Sequence, residues 1–245
     1  MLKFFADIHT HTIASGHAYG GTIREMAEAA ADQKLSMLGI SEHGPGIPGT
    51  TDPFYYRNLK VIPRTLYGVR IIHGCEINVL NDGRRSLDDS MMKFLDYAIV
   101  GIHRQCYWDQ GMDRNTDNLI SCMKHPKVRL VSHPDDNHTP LDYPRLVRAA
   151  KDLTVALEVN SSSFRKQDQR LGCLDNYRCM LDLCQHYRVP IVVSSDAHDP
   201  SWVGHMEEAG SFLEELKFDP SLILNLDGNQ DKFIFFFRLN GICFS

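Results

Sequence analysis

The sequence predicts an α/β protein whose parallel sheet closes into a barrel of seven βα units. Two observations predict the units. Short apolar runs alternate with amphipathic stretches along most of the chain. The ends of those runs recur roughly every 30 residues, the length of one βα unit. A third observation selects a barrel over an open doubly wound sheet. In nearly every unit a side chain of metal-ligand type stands at the C-terminal end of the run. A barrel brings all such ends around one rim, where active sites sit in this architecture. In an open sheet the edge strands would lie too far apart to share a site.

The predicted strands are residues 4–11, 37–43, 69–76, 97–103, 128–133, 155–160 and 191–198, mostly rich in Ile, Val or Leu. Helices fill the intervals. Thr22 with Glu25 reads as a capping box opening a helix that buries Ile23, Met26, Ala27 and Ala30. Leu119, Ile120 and Met123 share a helical face. Asp142 followed by Pro144 starts another helix, with Leu146, Val147 and Ala150 on its inner side. Cys179, Met180, Leu183 and Cys184 form the next stripe, and Phe212, Leu213 and Leu216 the last. Residues 44–58 and 104–115 read as long loops on the active rim, placed to cover a substrate.

Composition narrows the class. The 245 residues, 43% of them hydrophobic, suffice for one core, so residues 1–245 are expected to form a single domain. A net charge of −5 lacks the basic excess of a non-specific nucleic-acid binder, and no nucleic-acid partner is expected. The seven cysteines are odd in number, irregularly spaced and without a Cys-x-x-Cys pair, which fits reduced thiols better than a disulfide frame. The first apolar stretch is too short for a signal peptide, and no window reaches the length of a membrane span. The expected address is the cytoplasm.

Histidine is the unusual component, with twelve residues. Asp7, His9 and His11 alternate along the first strand, so all three are expected on one face. Asp196 and His198 repeat that spacing after the seventh. His43, Glu76, His103 and His133 stand at equivalent ends of separate strands. A single histidine at a strand end is more often a hydrogen-bonded polar residue than a ligand. The repetition on separate strands points to nitrogen and oxygen donors for zinc or a similar first-row ion.

The motifs resemble the polymerase-and-histidinol-phosphatase (PHP) family of metal-dependent phosphoesterases, and within it the YcdX-like phosphatases. They are Asp7-Ile8-His9-Thr10-His11-Thr12, Ser15-Gly16-His17-Ala18-Tyr19 and Ser41-Glu42-His43-Gly44-Pro45, then Gly74-Cys75-Glu76 and Gly101-Ile102-His103. Ser132-His133-Pro134, Glu158-Val159-Asn160-Ser161-Ser162-Ser163-Phe164 and Ser195-Asp196-Ala197-His198 follow in order. The resemblance implies a distorted (β/α)7 barrel with three divalent ions, zinc first and manganese or iron as alternatives. It assigns His9, His11, Glu76 and Asp196 to one ion. Glu76 bridges to a second ion completed by His103 and His133. His17, His43 and His198 hold the third. Asp7 is then a partner that orients a ligand histidine.

Three divalent ions against two carboxylates leave a local charge of about +4, matched to a phosphate dianion. The resemblance implies hydrolysis of a small phosphate monoester by metal-activated hydroxide, with Asp7, Glu76, Asp196 and Arg165 acting in catalysis. Arg104, Arg165 and Lys166 follow strands on the active rim, where a guanidinium can clamp phosphate. The alternatives are a phosphodiesterase or nuclease, a histidinol-phosphate phosphatase, a non-catalytic metal-binding regulatory domain, and an amidohydrolase-like C–N hydrolase. The last commonly needs a lysine bridge, and here Glu76 fills that position. His73, His125, His138, His186 and His205 match no ligand position and read as structural or surface residues.

Two departures stand out. Asp135 and Asp136 follow His133-Pro134 where YcdX-like sequences usually carry a glycine, which alters the substrate's surroundings beside the second ion. The tail, residues 226–245, contains the aromatic run Phe233, Ile234, Phe235, Phe236 and Phe237, which reads as a strand covering the barrel floor or meeting a second copy of the chain.

Overall fold

The computed structural model describes residues 2–18 and 20–239. Tyr19 of the second motif, Cys243 and the end of the tail lie outside them. The strands are β1 (Ala6–Thr10), β2 (Met37–Ile40), β3 (Thr65–Leu66), β4 (Val69–His73), β5 (Glu76–Asn78), β6 (Ala98–Gly101), β7 (Val128–Val131), β8 (Ala156–Asn160) and β9 (Ile191–Ser194). The helices are α1 (Ile23–Asp32), α2 (Phe54–Asn58), α3 (Asp89–Met92), α4 (Met112–Met123), α5 (Tyr143–Leu153), α6 (Ser161–Arg165), α7 (Cys173–Tyr187), α8 (Glu207–Glu215) and α9 (Gln230–Phe237).

Among the described residues the named strands pair in parallel except in the short β3–β4 hairpin. The strands run in the orders β1-β2-β4-β3 and β5-β6-β7-β8-β9. The predicted third strand is thus two, because the chain steps between sheets at Gly74. A Cβ there would sit 2.6 Å from the Tyr97 ring, so only glycine lets that ring fill the interior. The sheets join at the top through parallel bridges His43–Glu76 and Thr10–Ala197. At the bottom, Asn225 fills the seam between β1 and β9. Its Nδ2 donates to the carbonyls of Ala6 (2.8 Å) and Val193 (2.7 Å), and its Oδ1 accepts from Val193 N–H at 3.0 Å. One side chain thereby satisfies backbone groups that would otherwise lie buried without partners.

Strand alternation divides the core. Ile72, Ile99, Leu130, Ala156 and Val192 point inward with Ile8 and Tyr97, while Ile71, Val100, Val131, Leu157 and Val193 pack outward against the helices. On β8 the inward positions change character along the strand. Ala156 belongs to the apolar floor, and Glu158 and Asn160 face the polar site above it.

The capping box holds, with Thr22 N–H donating to Glu25 Oε2 at 2.7 Å, and Asp142 caps α5 by accepting from Arg145 N–H at 3.1 Å. On α7 the inner face carries Cys173, Tyr177, Met180, Leu181 and Cys184; Cys179 is exposed, contrary to the predicted stripe. The aromatic run is helical, not extended. Phe233 and Phe237, one turn apart, insert into the barrel floor against Phe5 and Tyr97, and Phe235 faces out. The expected floor cover is therefore a helix. No helix among the described residues is long and apolar enough to cross a membrane.

His73, at the end of β4, is fully buried, and neither ring nitrogen has a hydrogen-bond partner. Burial first, then the nearby Arg64, push its pKa down to about 4, against the partial help of Asp96. A histidine depressed in the fold contributes stability above its unfolded pKa that is lost as pH falls toward the folded one. Between pH 7 and pH 5 this costs about 2 kcal/mol. Urea titrations of wild type and His73→Leu should show a smaller acid loss in the variant by that amount. Parallel losses would show that His73 is not the titrating group.

Candidate metal centre

Glu76 opens β5 at the top of the barrel and is fully buried. Its Oε2 lies 3.3 Å from His9 Nε2, 3.6 Å from His11 Nε2 and 2.9 Å from His43 Nδ1. Its Oε1 lies 3.2 Å from His103 Nε2 and 2.9 Å from His133 Nε2. Asp196 Oδ1 stands 3.6 Å from His9 Nε2 and 3.3 Å from His11 Nε2. The His17 ring stacks 4.8 Å from His43 and lies 4.6 Å from His198. All nine predicted metal-ligand residues therefore converge.

Burial and charge favour ligand protonation states at Glu76, Asp196, His103 and His198, whereas at His9 burial is overcome by the carboxylates of Glu158, Glu76 and Asp196, which raise the imidazole well above its ordinary value. Burial alone would raise the Glu76 carboxyl, yet His103 and His9 hold it well below the usual range. Asp196 is likewise held down against burial by His9 and His11. Burial pushes His103 and His198 down to about 4, leaving the neutral imidazole that binds metal.

The donors fit divalent ions. His9 Nε2, His11 Nε2, His43 Nδ1, His198 Nε2 and both Glu76 oxygens are buried without hydrogen-bond partners, a costly arrangement unless something else engages them. Donor atoms of His9, His11 and Asp196, of His43, Glu76 and His103, and of His11, His43 and His198 each fall within 4.8 Å of one another. Ligands about 2.0–2.1 Å from a tetrahedral zinc lie about 3.3 Å apart. The 3.3–3.6 Å contacts of His9 and His11 with Glu76 and Asp196 match that spacing.

Local structure explains the placement. Between Asp7 and Thr10 the pairing of β1 with β2 slips by one residue. Ile8 faces the inner core, and His9 and His11 face the site above it. Asp7 pairs in register with Leu38, a residue of the outer core. Strict alternation therefore fails here, and the role predicted for Asp7 is corrected. Its carboxylate accepts from Ser195 N–H (3.2 Å), Ser195 Oγ (2.5 Å) and Gly204 N–H (3.0 Å), fastening the loop that carries Asp196. Asp196 and His133 both adopt positive φ, 54° and 28°, a region that Asp and His enter more readily than most side chains. Gly16, at φ 87°, lets the loop bearing His17 meet Gly49, whose carbonyl carbon would lie 2.1 Å from a Cβ.

The residues orienting the ligands were not singled out from the sequence. Glu158 Oε1 holds His9 Nδ1 at 2.7 Å, and its Oε2 accepts from His133 N–H at 2.6 Å. Ser15 Oγ contacts His11 Nδ1 at 3.0 Å and donates to Glu42 at 2.5 Å. Asn160 Nδ2 donates to Asp196 at 3.1 Å. Glu42 and Glu158 each sit two residues from a strand end within a quoted motif, the only signal that marks them.

The two predicted arginine clamps border the site clefts, each with protein partners of its own. Arg104 contacts Asp136 (3.3 Å), His138 and the Gln169 carbonyl (3.2 Å). Arg165 donates to Glu208 at 2.9 Å and stacks 4.4 Å over Trp202. Lys166 is exposed at the rim. His138, read from sequence as surface or structural, borders the site cleft and holds Asp136 Oδ1 at 2.6 Å. The expected loop at residues 104–115 ends in α4, leaving Arg104 and Gln105 beside the site.

A parallel α/β barrel with this donor cluster at its strand ends defines a metal-binding barrel protein. The chain belongs to the PHP domain family, whose profile matches residues 7–209. A probable phosphatase of Clostridium novyi (strain NT) is 34% identical over 241 residues, 98% of this chain and 97% of that protein. Histidinol phosphate phosphatase from Lactococcus lactis subsp. lactis Il1403, complexed with zinc, L-histidinol and phosphate, superposes with a TM-score of 0.60 at 15% identity, covering 89% of this chain and 95% of that chain. A chain in archaeal ribonuclease P with mature tRNA gives 0.63 at 17% identity, covering 98% and 96%. At these identities the two structures speak for the fold alone.

Proposed function

We propose that this protein is a hydrolase of small phosphate monoesters that works with three divalent ions, zinc first among them. The observation that carries the reading is the Glu76 carboxylate facing five imidazoles, with buried donor atoms that lack other partners. His9, His11, Glu76 and Asp196 would hold one ion. Glu76, His103 and His133 would hold the second, and His17, His43 and His198 the third. The ions when bound supply Lewis acidity and an activated water for phosphoryl transfer. The chain's own residues orient that centre: Glu158 fixes the His9 tautomer, Ser15 positions His11, and Asn160 restrains Asp196. The near full-length similarity to a protein named a probable phosphatase supports the same reading. Six unpaired cysteines among the described residues accord with a cytoplasmic address.

Elemental analysis should find about three ions per chain, with hydrolysis of p-nitrophenyl phosphate exceeding that of its bis-aryl diester. Removing metal with a chelator should abolish turnover. It should also lower stability by about 4 kcal/mol for an ion held at a thousand times its Kd, read as a fall in Tm. A full metal complement without ester turnover would favour a binding role. Failure to take up metal on reconstitution would overturn the reading.

A further inference from the structure

Two clefts meet at the donor cluster and share His17, Lys166, Asp196 and His198. One, about 470 Å³, runs past His103 and His133 toward Arg104 and Asp136. There Arg104 pairs with Asp136 at 3.3 Å and Arg170 with the buried Asp135 at 3.6 Å, and Asp168 adds a further carboxylate to the lining. The other, about 450 Å³, opens past His198 onto Trp202 and Arg165. Trp202 is 46% exposed, a large aromatic left open to solvent beside the site. The wall is braced. Arg165 lies over the indole at 4.4 Å, Glu208 accepts from Arg165 at 2.9 Å, and Ser161 Oγ donates to Glu208 at 3.1 Å. Asp199 in the same cleft is occupied by Ser201, whose N–H and hydroxyl it accepts at 3.0 and 2.6 Å.

We propose that the Trp202–Arg165 cleft receives the alcohol part of the phosphate ester and selects esters whose alcohol carries an aromatic or other planar ring. This rests on the phosphomonoesterase reading above. An indole and a guanidinium held rigid both present flat, weakly hydrated surfaces on which a ring packs at little entropic cost. The cleft's volume falls within the range of small-ligand sites. A compact polar alcohol would leave the indole exposed and gain nothing from it.

Isothermal titration of the metal-loaded protein with phenylphosphonate and methylphosphonate, neither of which a phosphoesterase hydrolyses, separates the ring from the phosphoryl group. Wild type should bind the phenyl compound about tenfold more tightly. Trp202→Ala should bring the two within about twofold, and Trp202→Phe should keep most of the preference. Equal binding by wild type, or a preference untouched in Trp202→Ala, overturns the assignment of this cleft while leaving the phosphomonoesterase reading intact. Binding of neither compound overturns that reading, and this inference with it.

Discussion

Glu76→Gln is expected to fold normally, lose most of its metal and lose at least a thousandfold in phosphomonoesterase activity, about 4 kcal/mol in barrier terms. The substitution keeps the shape and changes the chemistry. Both carboxylate oxygens now face imidazole nitrogens at 2.9–3.6 Å. An amide offers one weaker acceptor and turns an N–H group toward the other histidines. Removing that negative charge would also leave the closely spaced cations of the proposed centre with only Asp196 to offset them. The adjoining carboxylate makes the comparison. Glu158 reaches His9 through Nδ1 rather than standing among the free donor atoms, so Glu158→Gln should cost only about 10–100-fold. Metal content, circular dichroism and kcat/KM on the two variants check this. A Glu76→Gln protein with full metal and near wild-type turnover would remove Glu76 from the centre.

That contrast also shows what was legible in the sequence. Residues that meet the site directly had to be histidine or carboxylate, and nearly every strand end delivers one, so a repeating chemical type revealed them. Orienting residues obey no such rule. Ser15 serves His11 because the loop after β1 turns back on itself, and Glu158 serves His9 from 149 residues away. Neither relation has a period. Asp7 shows the complementary error. Its i, i+2 spacing to His9 is real, but the slip in β1 pairing reverses its face, and a bulge depends on neighbours that one strand's sequence does not contain. The split of the third strand at Gly74 has the same origin, since the glycine is required by Tyr97, 23 residues on. The arginines were read as phosphate clamps from their position alone, whereas Glu208, Asp136 and His138 compete for them from other elements.

Phe233→Ala is expected to destabilise the protein by about 4 kcal/mol, lowering Tm by roughly 8–16 °C, without changing the metal stoichiometry of the folded fraction. The five-residue apolar run offered no outer polar positions from which to read a period, and its aromatics favour strands. The deciding feature is the shape of the barrel floor. A strand would present alternate residues to one surface, but the floor is a plug-shaped opening lined by Phe5, Ile8, Met37, Tyr97 and Ile99. A helix fills it by sending in residues one turn apart. Phe233 packs edge-on to Phe5 at 5.4 Å and stacks on Phe237 at 4.4 Å, which meets Tyr97 at 5.8 Å. Tyr97 in turn donates to the Ile8 carbonyl at 2.5 Å, directly below His9. Emptying the Phe233 site leaves a cavity that rigid strands close only in part, so the cost exceeds simple transfer. Phe235→Ala is the internal control, because that side chain is 87% exposed on the same helix and should shift stability by less than about 0.5 kcal/mol. Denaturant midpoints for the pair decide the matter: equal, small effects would mean that α9 does not seal the floor in solution.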